Sequence, residues 1–244
     1  MNILYAIIKR IKNAGDRTSC RDFPTKSALR AASDSDRSNI RVLQERMADQ
    51  HNPSWLSGSR DAQESFSKAL IETSKSLNLF YSQEQCEAFG NPILIRSGES
   101  HLYENQAKGY VYKVRNPFAK LHLKSHNLYD LLYEHIIHNI LFPDTRYTFV
   151  GITEELGEAR IIYSQQLFFD TNIPTQKQID KYLLERGLNA EKYYYYGNEY
   201  VAVTDVNATA DNVMLSGNKK LLFIDPVIYI RQDCEQVIKY LLED

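Results

Sequence analysis

Two oxygen-bearing side chains, Asn212 and Asp225, stand 13 residues apart in the run TDVNATADNVMLSGNKKLLFIDPVIYI, Thr204–Ile230. Between them lie two short apolar runs, Val213–Leu215 and Leu221–Ile224, separated by Ser216-Gly217-Asn218-Lys219. Ser, Gly and Asn are turn residues, so the spacing predicts a β-hairpin that Asn212 opens and Asp225 closes. The two side chains then sit at the same end of the hairpin. An amide oxygen and a carboxylate converging there can share a hard cation such as Mg²⁺, which takes oxygen ligands. The plain alternative is an ordinary hairpin with polar ends.

The rest of the chain must supply a scaffold for that hairpin. Ile93–Arg96, His101–Glu104 and Tyr110–Val114 are strand candidates, with Gly98-Glu99-Ser100 and Lys108-Gly109 as the turns between them. Ser125–Leu141 predicts a helix, with Leu128, Leu131, Leu132, His135, Ile136 and Ile140 on its apolar face and Phe142-Pro143 at its end. Thr145–Gly151 and Arg160–Leu167 give strands four and five, and Thr175–Arg186 a second helix stopped at Gly187. Tyr193–Thr204 predicts a tyrosine-rich hairpin around Gly197-Asn198, and Asp233–Leu242 a closing helix.

Residues 1–88 have a different character, and we expect a helical, partly flexible N-terminal arm preceding a domain over 89–244. Leu4, Ile7, Ile8 and Ile11 share a helical face, but that apolar run is too short to span a bilayer. Asn39–Met47 can form a short helix. Ser59 is placed to cap a helix from Arg60 to about Leu77, with Phe66, Leu70, Thr73 and Leu77 on one stripe. On this division, deleting residues 1–88 leaves a folded core.

The 244 residues are 43% hydrophobic and 25% charged, the proportions of a soluble globular protein. A formal net charge of −2 gives no support for a nucleic-acid or membrane surface. Cys20, Cys86 and Cys234 are odd in number and in no ligand spacing, which suits reduced thiols in a cytoplasm. Five of the seventeen tyrosines fall in Tyr193–Tyr200, a run that more often packs than binds.

The order of elements is close to that of a protein kinase core, and the chain resembles the small serine/threonine/tyrosine kinase-like domains found in polyvalent proteins of phages and conjugative elements. The resemblance covers Pro92 to Ile230 and rests on GYVYKV, HNILFPDTRY, YSQQLF, DVNATADNVML and LLFIDPVIYI. It implies an α+β, minimal protein-kinase-like bilobal fold: a five-stranded antiparallel N-lobe sheet with one helix, and a reduced C-lobe. It also implies ATP and Mg²⁺ as cofactors. Lys113 then takes the place of the strand lysine that neutralises the α- and β-phosphates. Glu134, 21 residues later, is the carboxylate that holds it, with Asp130 as a spare. Gly98 and Ser100 belong to the loop over the phosphates. Gln165 and Gln166 end the strand that becomes the adenine-pairing hinge, and Asn212 and Asp225 are the metal ligands.

Two departures from the kinase pattern stand out. A kinase catalytic loop has its base Asp five residues before the metal-binding Asn, and that position here is Asn207. An amide cannot take a proton. Asp205, two residues further back, serves if the loop bulges, and loops absorb such insertions at small cost; Asp211 should point elsewhere. Second, Asp225 is followed by Pro226-Val227 instead of the kinase glycine, and 19 residues remain after it. An activation loop and a peptide platform do not fit in them.

The expected function is an ATP- and Mg-dependent phosphotransferase acting on a protein hydroxyl, in a mobile-element or conflict setting. A small-molecule acceptor and adenylyl transfer stay open, and the arm is a candidate site for a protein partner. Two rivals are a pseudokinase acting as a binding module and an unrelated α+β interaction protein.

Overall fold

The computed structural model describes residues 42–43, 46–47, 59–93, 100–119, 131, 133–169, 171–209, 212–232, 236–237 and 241. The expected helix over Met1–Lys12, the turn residue Gly98, the spare carboxylate Asp130, Asp211 and most of the closing helix lie outside them. The described residues are α+β and divide into two compact units, one within 30–137 and 146–167, the other within 138–145 and 168–244.

The first unit is built on an antiparallel sheet of five strands: β1 (Asn91–Ile93), β2 (Ser100–Asn105), β3 (Tyr110–Arg115), β4 (Tyr147–Glu155) and β5 (Glu158–Gln166), in the order β1-β2-β3-β5-β4. The second to fifth strands follow the sequence expectation in kind, and β4 and β5 extend further toward each other; of the first expected strand only Ile93 lies within the described residues, and β1 runs back from it to Asn91. They meet in a two-residue turn, Leu156-Gly157, with φ of +53° and +82°. Positive φ at both central residues matches the twist of a tight hairpin. Between its end residues β5 is buried throughout, because both of its faces are covered.

Alternation sorts the side chains of β3 onto two faces. Tyr112 and Val114 face the cluster of Cys86, Ile162, Tyr81 and Phe89, in which Phe89 stacks on Tyr112 at 4.4 Å. The short helix α2 (Gln83–Glu87) holds Cys86 there. Its capping box is closed: the Gln85 peptide N–H donates to Ser82 Oγ and the Ser82 N–H to Gln85 Oε1. Val111 and Lys113 point to the opposite face. There α3 (Glu134–Leu141) begins, and the ring of His135 lies 5.0 Å from that of Tyr163 and 6.1 Å from that of Phe149. The helix ends at Leu141, before Phe142-Pro143, as expected.

Helix α1 (Arg60–Ser76) is capped by Ser59, whose side chain accepts from the Ala62 N–H. Its stripe of Phe66, Leu70 and Thr73 is buried, and the helix packs on β4 and β5. The Ala159 N–H donates to Ser67 Oγ at 2.5 Å. Beyond the helix, Tyr81 N–H donates to Ile152 O and Ile152 N–H to Leu79 O, each at 2.8 Å, so the chain covers the outer edge of β4. Gly151 permits that approach, since a Cβ there would collide with the Leu79 carbonyl oxygen. Residues 59–88, read as part of an arm on sequence grounds, therefore lie in the same compact unit as the sheet.

The second unit contains α4 (Gln176–Leu184) and two small antiparallel sheets. One is the hairpin of β9 (Val213–Leu215) and β10 (Leu221–Phe223). The other has the order β11-β8-β7-β6, from β6 (Asn189–Lys192), β7 (Tyr195–Gly197), β8 (Val201–Thr204) and β11 (Val227–Ile230). The ring of Phe223 stacks on Phe142 at 4.4 Å and packs against Tyr182 at 4.8 Å. Lys220 Nζ binds Asp144 Oδ1 at 3.0 Å, which fixes the hairpin to the 3-10 turn Pro143–Thr145. Among the described residues no helix is long and apolar enough to cross a membrane.

Leu43, Met47, Phe66 and Leu70 are fully buried. Removing residues 1–88 would strip all four from the unit, so the truncated chain is expected to lose its cooperative thermal melt. The narrower change Phe66→Ala should destabilise the protein by about 3–5 kcal/mol in urea titrations, from lost burial and the cavity left behind. A truncated chain that still melts cooperatively would show that this packing does not hold the sheet.

Candidate functional site

Four positions of the sheet unit share one face because their register pairs them. Lys113 on β3 is opposite Tyr163 on β5, and Gln165 on β5 is opposite both Val111 on β3 and Tyr147 on β4. Lys113, Tyr163, Gln165 and Tyr147 thus form one patch. Lys113 is 5% exposed, which sets aside the plain reading of a solvated strand lysine. Its ammonium donates to the Tyr147 hydroxyl at 3.0 Å and lies 4.8 Å from the centre of that ring. Burying an ammonium is costly unless it is paired, so a polar acceptor and an aromatic face at this point are what the fold must provide. Tyr147 is a site residue that sequence reasoning missed; as one tyrosine among seventeen it carried no signal.

Glu134 is the first residue of α3, half-buried, on the helix that packs over this face through His135. Ser100 opens β2 opposite Arg115. Gln165 is buried within the ladder with strand partners on both sides, whereas Gln166 is exposed and pairs with Tyr110 alone. The Leu167 N–H continues the ladder by donating to Gly109 O at 2.9 Å.

In the second unit three sequence-predicted residues are brought to one place by two strand pairings. Phe223 is opposite Val213, and the Ile224 N–H donates to Asn212 O at 2.7 Å, so Asn212 and Asp225 flank the open end of the hairpin. Thr204 is opposite Val227, so the chain leaving β8 at Asp205 runs beside the chain entering β11 at Pro226. Asp205 therefore neighbours Asp225 through the backbone alone. The side chains complete the arrangement: Asn212 Nδ2 donates to Asp205 Oδ2 at 2.7 Å and to the Asp205 carbonyl oxygen at 3.3 Å. With its N–H groups so directed, the amide turns its oxygen away from Asp205.

Asp205 has φ of +63°, a left-handed conformation that costs a non-glycine residue free energy and is kept where surrounding contacts impose it. The same backbone turn lets the loop double back over seven residues, from Asp205 to Asn212. Val206 is fully buried and anchors the loop. Asn207 shapes it: its Oδ1 accepts from the Thr209 N–H at 2.9 Å and from the Thr209 hydroxyl at 2.5 Å, an Asx turn.

A family model described as "Serine/Threonine/Tyrosine Kinase found in polyvalent proteins" matches residues 63–232. No curated protein and no solved structure matches the chain.

Tyr147→Phe removes one oxygen acceptor from the buried Lys113 ammonium while keeping the ring. It is expected to lower stability by about 1–3 kcal/mol, read from the shift in urea midpoint; an unchanged midpoint would mean that the ammonium does not rely on this hydroxyl.

Proposed function

We propose, from the fact that the chain belongs to the kinase family found in polyvalent proteins, that it transfers the γ-phosphate of ATP to a hydroxyl with Asp205 as the base. The observation that carries this reading is the contact of the Asn212 amide with the Oδ2 and the backbone carbonyl oxygen of Asp205, at the end of the hairpin that Asp225 closes. The two compact units correspond, on this reading, to the two lobes of a minimal kinase, with the domain starting before residue 59.

The donor set suits Mg²⁺. Asn212 Oδ1 and the Asp225 carboxylate are hard oxygen donors and would hold the ion. When bound, Mg²⁺ neutralises charge on the β- and γ-phosphates.

The chain's own residues do the rest. Lys113 binds the α- and β-phosphates, and Glu134 orients it. Ser100 and Gly98 cover the phosphates, and the backbone after Gln165 and Gln166 pairs with adenine. Asp205 Oδ1 accepts the proton of the acceptor hydroxyl as its oxygen bonds to the γ-phosphorus; the bond from that phosphorus to the bridging oxygen breaks and ADP leaves. Positioning and charge neutralisation account for most of the rate. The acceptor is a protein hydroxyl, in the cytoplasm and in a bacterial mobile-element setting. Asn207 does not compete for the role of base, because its side-chain oxygen is taken up by Thr209.

Asp205→Ala is expected to lower transfer of labelled γ-phosphate from MgATP by about 10²–10⁴-fold, the usual contribution of a general base, while MgATP still binds. Unchanged transfer in this variant would remove Asp205 as the base and leave a protein that binds nucleotide without this chemistry.

A further inference from the structure

The loop from Asp205 to Asn212 is closed on itself by Asn212, but it is also gripped from outside. The Ala208 peptide N–H donates to Gln176 Oε1 at 3.0 Å. On its other side the same amide is fixed by two oxygens: Gln176 Nε2 donates to Asp180 Oδ1 and to the Tyr196 hydroxyl, each at 2.9 Å. Tyr196 in turn donates to Asp180 Oδ1 at 2.6 Å. Burial and the Asp180 carboxylate push the Tyr196 hydroxyl well above the ordinary tyrosine range, so it keeps its proton and stays a donor. With both donors of its NH₂ group directed at oxygens, the Gln176 amide has one orientation, and in it Oε1 faces Ala208.

Each anchor of this brace is rigid. Gln176 is the first residue of α4, whose start is set by Thr175 donating through its N–H and its hydroxyl to Gln178 Oε1, each at 2.8 Å. Tyr196 is buried on β7 opposite Val203 of β8, the strand that delivers Asp205. The network therefore ties a helix start, a strand and the centre of the loop into one frame.

We infer that Gln176 is the positioning residue of the catalytic loop, its side-chain amide holding the Ala208 peptide so that Asp205 stays in register with Asn212. This rests on the phosphotransferase reading. A loop two residues longer than the kinase spacing needs an added constraint at its middle, because each extra residue brings conformations that misplace the carboxylate. Asp180 and Tyr196 act through Gln176 by fixing its orientation.

The test compares wild type with Gln176→Leu, Tyr196→Phe and the exchange Gln176→Glu/Asp180→Asn. In the exchange variant a carboxylate at 176 still accepts from Ala208 and from the amide placed at 180. Three quantities are read: MgATP binding by calorimetry, MgATP hydrolysis with water as the acceptor, and hydrogen exchange at the Ala208 amide. Gln176→Leu should bind MgATP within about twofold of wild type, lose about tenfold or more in kcat, and exchange the Ala208 amide faster. Tyr196→Phe should move in the same direction by less, and the exchange variant should recover most of the rate. Unchanged kcat and unchanged Ala208 exchange in Gln176→Leu would overturn the inference, as would a rate that falls only in step with MgATP affinity. Wild type that binds no MgATP would instead sink the phosphotransferase reading, with exchange at Ala208 still deciding whether the brace exists.

Discussion

One side-chain amide holds together the loop that the site depends on. Asn212 starts the strand after the loop, and Asp205 follows the strand before it. The pairing of β8 with β11 and of β9 with β10 brings these two chain positions near each other, but backbone pairing alone leaves the side chains undirected. The bond from Asn212 Nδ2 to Asp205 Oδ2, at 2.7 Å, fixes where the carboxylate lies. A charge-assisted hydrogen bond of this kind is stronger than a neutral one. Asp205 holds a left-handed backbone at the same point, a conformation that Asp adopts more readily than most non-glycine residues.

The buried ammonium of Lys113 is the corresponding constraint in the sheet unit. A central strand with both faces covered has no room for a hydrated lysine. A partner must therefore be built into the sheet, and the register places Tyr147, on β4 beyond β5, where its hydroxyl can accept. Such a group costs stability that an apolar residue would not. It shares its sheet face with Val111, Tyr163, Gln165 and Tyr147.

Much of this was legible in the residues. The hairpin announced itself through Ser216-Gly217-Asn218-Lys219 between two apolar runs, and α1 through Ser59 and a stripe at helical spacing. Strand β6 was not legible, because all four of its residues are exposed and no alternation marks them. The placement of α1 was misjudged for a different reason. Its stripe showed that it packs on something, but not that the partner is the sheet some ninety residues later, where Ala159 meets Ser67. Tyr147 and Gln176 were missed because their roles come from register and loop geometry, which residue type does not encode. Asp205 was reached by its chemistry, since Asn207 cannot accept a proton; the structure puts its carboxylate in contact with the Asn212 amide.

The central claim is that the hairpin end formed by Asn212 and Asp225 holds the metal of a bound nucleotide. A thermal melt with and without MgATP, on wild type and on Asp225→Ala, tests it most directly, because a ligand that binds the folded state raises the melting temperature by mass action. The account predicts a Mg²⁺-dependent rise in wild type that is lost in Asp225→Ala. No rise in wild type at millimolar MgATP, or an equal rise in both proteins, would contradict it.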